Sequence, residues 1–324
     1  MDFAAMLAER FGARAKKDEP LAKHLNFRIG GPARYFVEAQ SSQDIIDAVR
    51  MAKDAGVPFF VLGGGSNTLA SDKGFDGLLV KAANRGMKID GTRVIAEAGV
   101  IAAAVARATA QAGLRGFEWA ISLPGTIGGG VRGNAGCFGG EMKDAVESVR
   151  VLHDGELKTL HKNELGFAYR HSMFKEPGNA DVVLDATLAL KKGDAAEAMA
   201  QLEKNLAGRK ASQPLGSSSA GCMFKNVEYT DESEIAKLAA RYPVPPEMLA
   251  RKRIASGWII DQLGLKGTRV GDAMVSETHG NFLVNKGNAT ADEIVQLIAL
   301  IKTRVRNEAG IQLHEEVQYL GFSL

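Results

Sequence analysis

Apolar positions change their period along the chain, and the changes outline its elements. Phe3, Met6, Leu7 and Phe11 recur at helical spacing and predict a short amphipathic helix within residues 1–17. A β–α–β pattern follows. Tyr35-Phe-Val-Glu reads as a strand, Ser41 with Asp44 as a helix start, Ile45, Ile46, Val49 and Ala52 as one helical stripe, and Gly56 as its stop. The next strand, Pro58–Leu62, runs straight into Gly63-Gly-Gly-Ser-Asn67. From about Asp76 to Leu190 the pattern becomes short strands at Leu78–Lys81, Val94–Ala98, Val146–Leu152 and Val182–Leu190, with a helix over Ile101–Ala112. A polar break at Lys191-Lys-Gly-Asp sets a domain boundary near 192. Beyond it come a helix over Ala195–Leu206, a glycine-serine loop at 212–221 that bridges the two parts, a helix over Thr290–Glu308 and a closing strand at Leu313–Leu320. The expected fold class is α+β.

Composition narrows the picture in three ways. A content of 45% hydrophobic and 24% charged residues is that of an ordinary globular protein, and 324 residues suffice for two or three domains and a buried cofactor. A formal net charge of +2 supplies no field that favours nucleic acid. Two cysteines, Cys137 and Cys222, are too few for a disulfide framework and read as free thiols of a reducing cytosol. No secretory segment is evident near Met1, and no apolar run approaches the roughly 18 residues of a membrane span. The expectation is a soluble, cytoplasmic, monomeric protein that engages neither membrane nor nucleic acid.

Glycine is the exception to ordinary composition. Gly63-Gly-Gly-Ser-Asn67 after a strand can aim several N–H groups at one phosphate, or it is a plain tight turn. It does not open a helix as a dinucleotide fingerprint must, since Thr68–Gly74 has turn composition. Residues 122–140 hold eight glycines in nineteen positions with Arg132 the one charge, and Ile127, Val131 and Phe138 among them favour close packing on a flat ligand over a flexible linker. Arg170, beside Tyr169 and His171 in an apolar stretch, needs anionic company from the protein or from a substrate. The six histidines and two cysteines show no metal-ligand spacing, so no metal is expected. Ser217–Asn226 places the Cys222 thiol, the Lys225 ammonium and the Asn226 amide within five residues, or sets a core cysteine beside a surface lysine. The alternation of Leu313–Leu320 sends Leu313, Glu315 and Val317 to one side and His314, Glu316 and Gln318 to the other.

In order and spacing these segments resemble the UDP-N-acetylenolpyruvoylglucosamine reductase (MurB) family. The blocks are Asn26-Phe-Arg-Ile-Gly-Gly-Pro-Ala, Leu62-Gly-Gly-Gly-Ser-Asn, Leu123-Pro-Gly-Thr-Ile-Gly-Gly, Asn134-Ala-Gly, Tyr169-Arg-His-Ser-Met-Phe, Ser219-Ala-Gly-Cys-Met-Phe-Lys-Asn, Gly257-Trp-Ile-Ile-Asp-Gln-Leu-Gly-Leu-Lys-Gly, Asn281-Phe-Leu-Val-Asn and Glu316-Val. The compact stretch after Arg170 is similar to the shorter, type II members. The resemblance implies an FAD-binding region of the vanillyl-alcohol-oxidase/PCMH type over 1–192, in two subdomains meeting near 85, and a smaller α+β substrate domain over 193–324. It implies reduction of non-covalent FAD by NADPH, then reduction of UDP-N-acetylglucosamine enolpyruvate to UDP-N-acetylmuramate, a small-molecule nucleotide-sugar reaction of peptidoglycan synthesis.

By that likeness Gly63, Gly64, Gly65, Ser66 and Asn67 hold the cofactor pyrophosphate, and Pro124, Gly125, Thr126, Gly128, Gly129 and Asn134 line the cofactor. Arg170 and Glu316 correspond to the family's charge-stabilising pair, and Lys225, Asn226 and Gln262 to its substrate contacts. Cys222 stands where most members carry the proton-donating serine, and Val227 where they carry proline. Two rivals remain at this point: an oxidase of the same cofactor fold with flavin tethered to Cys137, and a nucleotide-sugar binding protein without catalysis.

Overall fold

A computed structural model describes residues 2–212 and 216–322, so residues 213–215 of the bridging glycine-serine loop lie outside the described residues. The chain is α+β and divides into two contact units. The first comprises 1–19, 33–64 and 76–211, and the second 20–32, 65–75 and 212–324. The division differs from the single cut near 192 that the polar break suggests. The helix Ala195–Ser212 counts almost wholly with the first unit because Ala198 and Leu202 are buried in that unit's core. Conversely, Phe27, Ile29 and Leu69 belong to the core of the second unit, which draws two early segments into it.

The first unit holds two cores. One is built by Phe3, Leu7 and Phe11, the helix Ser42–Asp54 and the strands Pro32–Ala39, Phe59–Leu62 and Phe75–Ala82. Ser41 caps that helix by accepting from the Asp44 N–H. Phe59–Leu62 runs parallel to Phe75–Ala82, with Leu62 opposite Lys81. The other core lies between Val94 and Leu202, against a five-stranded antiparallel sheet in the order Glu156–His161, Val146–His153, Val182–Ala189, Arg93–Glu97, Met87–Asp90. Leu152, Val182 and Leu184 also belong to the first core, so the strands Val146–His153 and Val182–Ala189 serve both cores.

One element of this unit departs from the sequence reading. Ile127–Gly133, inside the glycine-rich run, is helical. Glycine costs a helix roughly 1 kcal/mol per residue against alanine, so propensity opposes it. Close packing overrides propensity: a Cβ on Gly128 would lie 2.8 Å from the Ala98 Cβ, and one on Gly130 would lie 3.3 Å from the Met142 sulfur. Larger residues could not bring this turn so near its neighbours.

In the second unit the helix Ala291–Ala309 buries Ile294, Leu297, Ile298, Ile301 and Val305, the stripe the sequence displays. Thr290 and Glu293 form a reciprocal capping box at its start, and Gly310 takes the left-handed conformation at its end. Three short antiparallel strands, Arg269–Val270, Ala273–Val275 and Leu283–Asn285, lie beside it in sequence. The chain closes with Gln318–Leu320, which pairs in parallel with Thr68–Ala70. Thr68–Ala70 is therefore a strand, where composition alone suggested a turn.

Candidate functional site

The expected site residues fall on both units. In the first unit, the strand Phe59–Leu62 delivers the chain into Gly63-Gly64. Added side chains have no room there: a Cβ on Gly63 would stand 2.4 Å from Thr126 Oγ1, and one on Gly64 would stand 3.2 Å from Gly125 Cα. The Lys81 ammonium donates to the Gly63 carbonyl at 2.6 Å and fixes the strand's end. Burial, with the Arg85 charge nearby, lowers the Lys81 pKa to about 8.

Gly63 opens onto a cavity of about 560 Å³ that Thr126, Gly128, Gly129 and Arg132 also line, with walls from Val57–Val61 and Asn179–Val183. Thr126 Oγ1 is buried there with no hydrogen-bond partner. Burial pulls the Arg132 guanidinium below its ordinary pKa. A floor without side chains, a waiting hydroxyl and a cation match what a phosphate-bearing planar cofactor requires. The residues present therefore fit FAD.

Of the expected cofactor residues in this unit, Gly63, Thr126, Gly128 and Gly129 line this cavity, whereas Gly64, Pro124, Gly125 and Asn134 do not. Asn134 is fully buried and its side chain serves the protein. Its amide donates to Glu141 Oε2 and to the Ala168 carbonyl, each at 2.9 Å, and its oxygen accepts from the Lys143 N–H at 2.9 Å. The sequence reading missed the walls at Val57–Val61 and Asn179–Val183, which carry no compositional mark.

Arg170 sits at the corner of a tight turn closed by mutual backbone hydrogen bonds between Ala168 and His171. Its φ of 53° is in the left-handed region, which costs a non-glycine residue about 1 kcal/mol or more. Its guanidinium donates to the Gly136 carbonyl at 2.9 Å and lies 5.4 Å from the Tyr169 ring centre. Cys137, next to Gly136, is a half-buried thiol whose pKa burial raises, and its sulfur contacts the Trp119 carbonyl at 3.3 Å.

In the second unit, Cys222–Lys225 runs as an extended segment with a neighbour on each side. Toward one neighbour, Cys222 bridges Phe282, the Met223 N–H donates to the Asn281 carbonyl at 2.8 Å, and the Asn281 side chain bonds both the N–H and the carbonyl of Phe224. Toward the other, the Lys225 N–H donates to the His314 carbonyl and the Glu316 N–H to the Met223 carbonyl. Phe224 opposes Glu315, which sets Met223 against Glu316 and Cys222 one position along. Met223 and Phe224 are buried while Cys222 and Lys225 are half-buried.

The expected strand Leu313–Leu320 shortens to Gln318–Leu320 with an isolated bridge at Glu315 before it, and Glu316 lies half-buried in the irregular segment between them. Leu313 and Val317 are buried, and Glu315 is ion-paired with Lys302 at 2.8 Å. The Glu316 carbonyl accepts from the Asn67 amide at 3.2 Å, and the Asn67 carbonyl accepts from the Gln318 N–H at 3.0 Å. Asn67 thereby anchors the segment that bears Glu316. Gly65 is irreplaceable for a similar reason to Gly63, since a Cβ there would meet the His24 carbonyl at 2.1 Å; Ser66, next to it, is half-buried. Ser256 Oγ holds the Lys225 carbonyl at 2.5 Å, and its N–H donates to Asn226 Oδ1 at 3.3 Å. Val227 pairs with Ile254. Gln262 is exposed at the end of the helix Ser256–Gln262.

Comparison with known proteins agrees with this division of labour. The FAD binding domain model matches residues 33–161, and the model of the UDP-N-acetylenolpyruvoylglucosamine reductase C-terminal domain matches residues 213–320. The reductase of that name from Syntrophus aciditrophicus is 38% identical over 313 residues, spanning 94% of this chain and 91% of its own. That from Alkaliphilus oremlandii is 37% identical over 308 residues, spanning 94% and 92%. The crystal structure of the enzyme from Thermus caldophilus matches with a TM-score of 0.74 at 32% identity, covering 94% of this chain and 98% of that one. With glycine-lined cavity, Cys222 strand and near full-length likeness all in agreement, the chain belongs to the UDP-N-acetylenolpyruvoylglucosamine reductase family of flavoenzymes.

Proposed function

We propose that this protein reduces UDP-N-acetylglucosamine enolpyruvate to UDP-N-acetylmuramate for peptidoglycan precursor synthesis, with NADPH as reductant, as a cytoplasmic monomer. Family membership supports the reaction, and among the described residues no helix is long and apolar enough to cross a membrane. FAD, held without a covalent link by Gly63, Gly64, Thr126, Gly128 and Gly129, supplies the hydride chemistry between NADPH and the enolpyruvyl double bond.

The remaining work belongs to side chains. A hydride added to the terminal carbon of an enolpyruvyl ether leaves negative charge spread over the adjacent carbon and its carboxylate. Cations and donors fixed in advance where that charge grows lower the barrier most. Arg170, pinned in a strained turn by Gly136 and Tyr169, is suited to that role because its orientation is set before substrate arrives. Glu316, its backbone fixed by Met223 and Asn67, acts on the substrate carboxylate, a role that requires its own carboxyl group to be protonated or hydrogen-bonded there. Lys225, Asn226 and Gln262 bind the nucleotide-sugar.

Cys222 then gives its thiol proton to the carbon next to the carboxylate. A thiol with a reference pKa of about 8.5 is mostly protonated at neutral pH yet is a far stronger acid than the serine hydroxyl usual in the family. The observation that carries this reading is the Cys222–Lys225 segment, hydrogen-bonded on both sides, with the segment that bears Glu316 as its immediate neighbour.

A split assay tests it. Replacing Cys222 with Ala should leave reduction of the flavin by NADPH near normal and slow its reoxidation by the enolpyruvyl substrate by about 10²–10⁴-fold. Cys222→Ser should recover much of the loss. Normal reoxidation in the alanine variant would remove Cys222 from the mechanism, and a full chain that takes up no flavin would remove the reductase reading itself.

A further inference from the structure

The wall of the cavity at Asn179–Val183 carries a carboxylate that no part of the reaction above uses. Asp181 lines the cavity with its side chain 5% exposed. Pairing of Leu152 with Val182 brings His153 beside it, and His153 Nδ1 lies 2.7 Å from Asp181 Oδ1. A carboxylate can only accept, so Nδ1 carries the proton. The Asp181 N–H donates to Asn179 Oδ1 at 2.9 Å, which fixes the turn before the strand. Asp181 Oδ2 is buried and has no partner. A buried acceptor left unmade is costly enough that proteins rarely keep one without a use.

The cavity's cofactor supplies the candidates for that partner. The pyrophosphate offers no donor and is repelled by a carboxylate. The isoalloxazine is poorly placed beside a buried anion, because taking a hydride builds negative charge on the ring and the carboxylate opposes it. The adenosine half has donors and keeps its charge through the reaction, and the flanking Val57, Phe59, Phe60 and Phe174 suit a flat base. We propose that Asp181, oriented by His153, binds the adenosine half of FAD by accepting a hydrogen bond at Oδ2 from the 6-amino group or a ribose hydroxyl. The proposal rests on the flavoenzyme reading and adds a cofactor-binding residue to it.

The test uses the full chain stripped of flavin and titrated with FAD or FMN, followed by flavin fluorescence. Asp181→Ala should weaken FAD by about 10- to 100-fold, the range of one hydrogen bond to a charged group, and leave FMN affinity unchanged. Asp181→Asn guards against misfolding: its oxygen can stay with His153 while an NH₂ replaces the accepting Oδ2, so FAD should again weaken. Unchanged FAD affinity in both variants, or equal losses for FAD and FMN, would overturn the proposal. Titration with flavin hypoxanthine dinucleotide, which lacks the amine, separates the two donors. If the amine is read, Asp181→Asn abolishes a preference for FAD over this analogue; if a hydroxyl is read, both dinucleotides weaken alike. Wild-type chain that binds neither FAD nor FMN would sink the flavoenzyme reading instead, an outcome distinct from failure of Asp181.

Discussion

The glycine-lined cavity of the first unit and the Cys222 strand of the second meet the same demand by opposite means. Around Gly63, Gly64 and Gly128 the geometry depends on side chains that are missing, since any Cβ would enter the space of Thr126, Gly125 or Ala98. Around Cys222 the geometry depends on bonds that are made, with backbone groups on both edges and the Asn281 amide bridging the N–H and carbonyl of Phe224. Binding a large planar cofactor needs surface that stays out of the way. Delivering one proton needs a single side chain whose backbone cannot drift.

The strongest way to break this contrast is to delete one bond-making side chain. Asn281 is 2% exposed, and Asn281→Ala would leave two backbone groups of Phe224 without partners. The expected loss is about 2–5 kcal/mol of stability, read from denaturant unfolding. If the Cys222 strand is held chiefly by its other neighbours, the loss will instead stay under about 1 kcal/mol. The converse experiment adds one methyl group to the cavity. Gly128→Ala places a Cβ 2.8 Å from Ala98 Cβ and 3.2 Å from its carbonyl oxygen, so the Ile127–Gly133 helix must shift. Overpacking of this kind should cost about 1–3 kcal/mol and weaken FAD, measured by unfolding and by flavin titration of the same sample. Full stability with full affinity would mean that the close approach is incidental.

The two regions also differed in how far their sequence disclosed them. The helix Ala291–Ala309 was readable from Thr290, Glu293 and its apolar stripe, because a lone amphipathic helix carries its period in its own residues. The glycine run was readable as ligand-hugging surface but not as a helix, because the force that makes it helical comes from Ala98 and Met142, remote in sequence. Arg170 was readable as a partly buried cation but not as the strained corner of a turn, since nothing in Tyr169-Arg-His marks a positive φ. Residues 20–32 and 65–75 join the second unit through Phe27, Ile29 and Leu69, whose apolarity says that they are buried and not against what. Asp181 had no signal at all: one aspartate before an apolar strand is ordinary, and only its pairing with His153 and its empty oxygen single it out. Cys222 was legible only as a thiol by a loop, and the proton-donor role proposed for it comes from the resemblance to a family with serine at that place.

The smallest effect probes a place where the cavity region also relies on a made bond. Lys81 holds the Gly63 carbonyl from a half-buried position, and its pKa near 8 means that folding disfavours the ammonium relative to an ordinary lysine near 10.5. Between those two values the unfolded chain binds more protons than the folded one, so stability rises with pH across that window. Below pH 8 both states are charged and the cost of burying the ammonium is felt in full. Raising the pH from 7.5 to 9.5 should therefore stabilise the wild type by on the order of 1 kcal/mol relative to Lys81→Met, in which nothing titrates at this site. The variant also leaves the Gly63 carbonyl without its donor, but that loss does not vary with pH. The slope of the difference, and not its offset, is the quantity to read, and a flat difference would show that the ammonium is solvated and that Gly63 is held by the absence of neighbours' side chains alone.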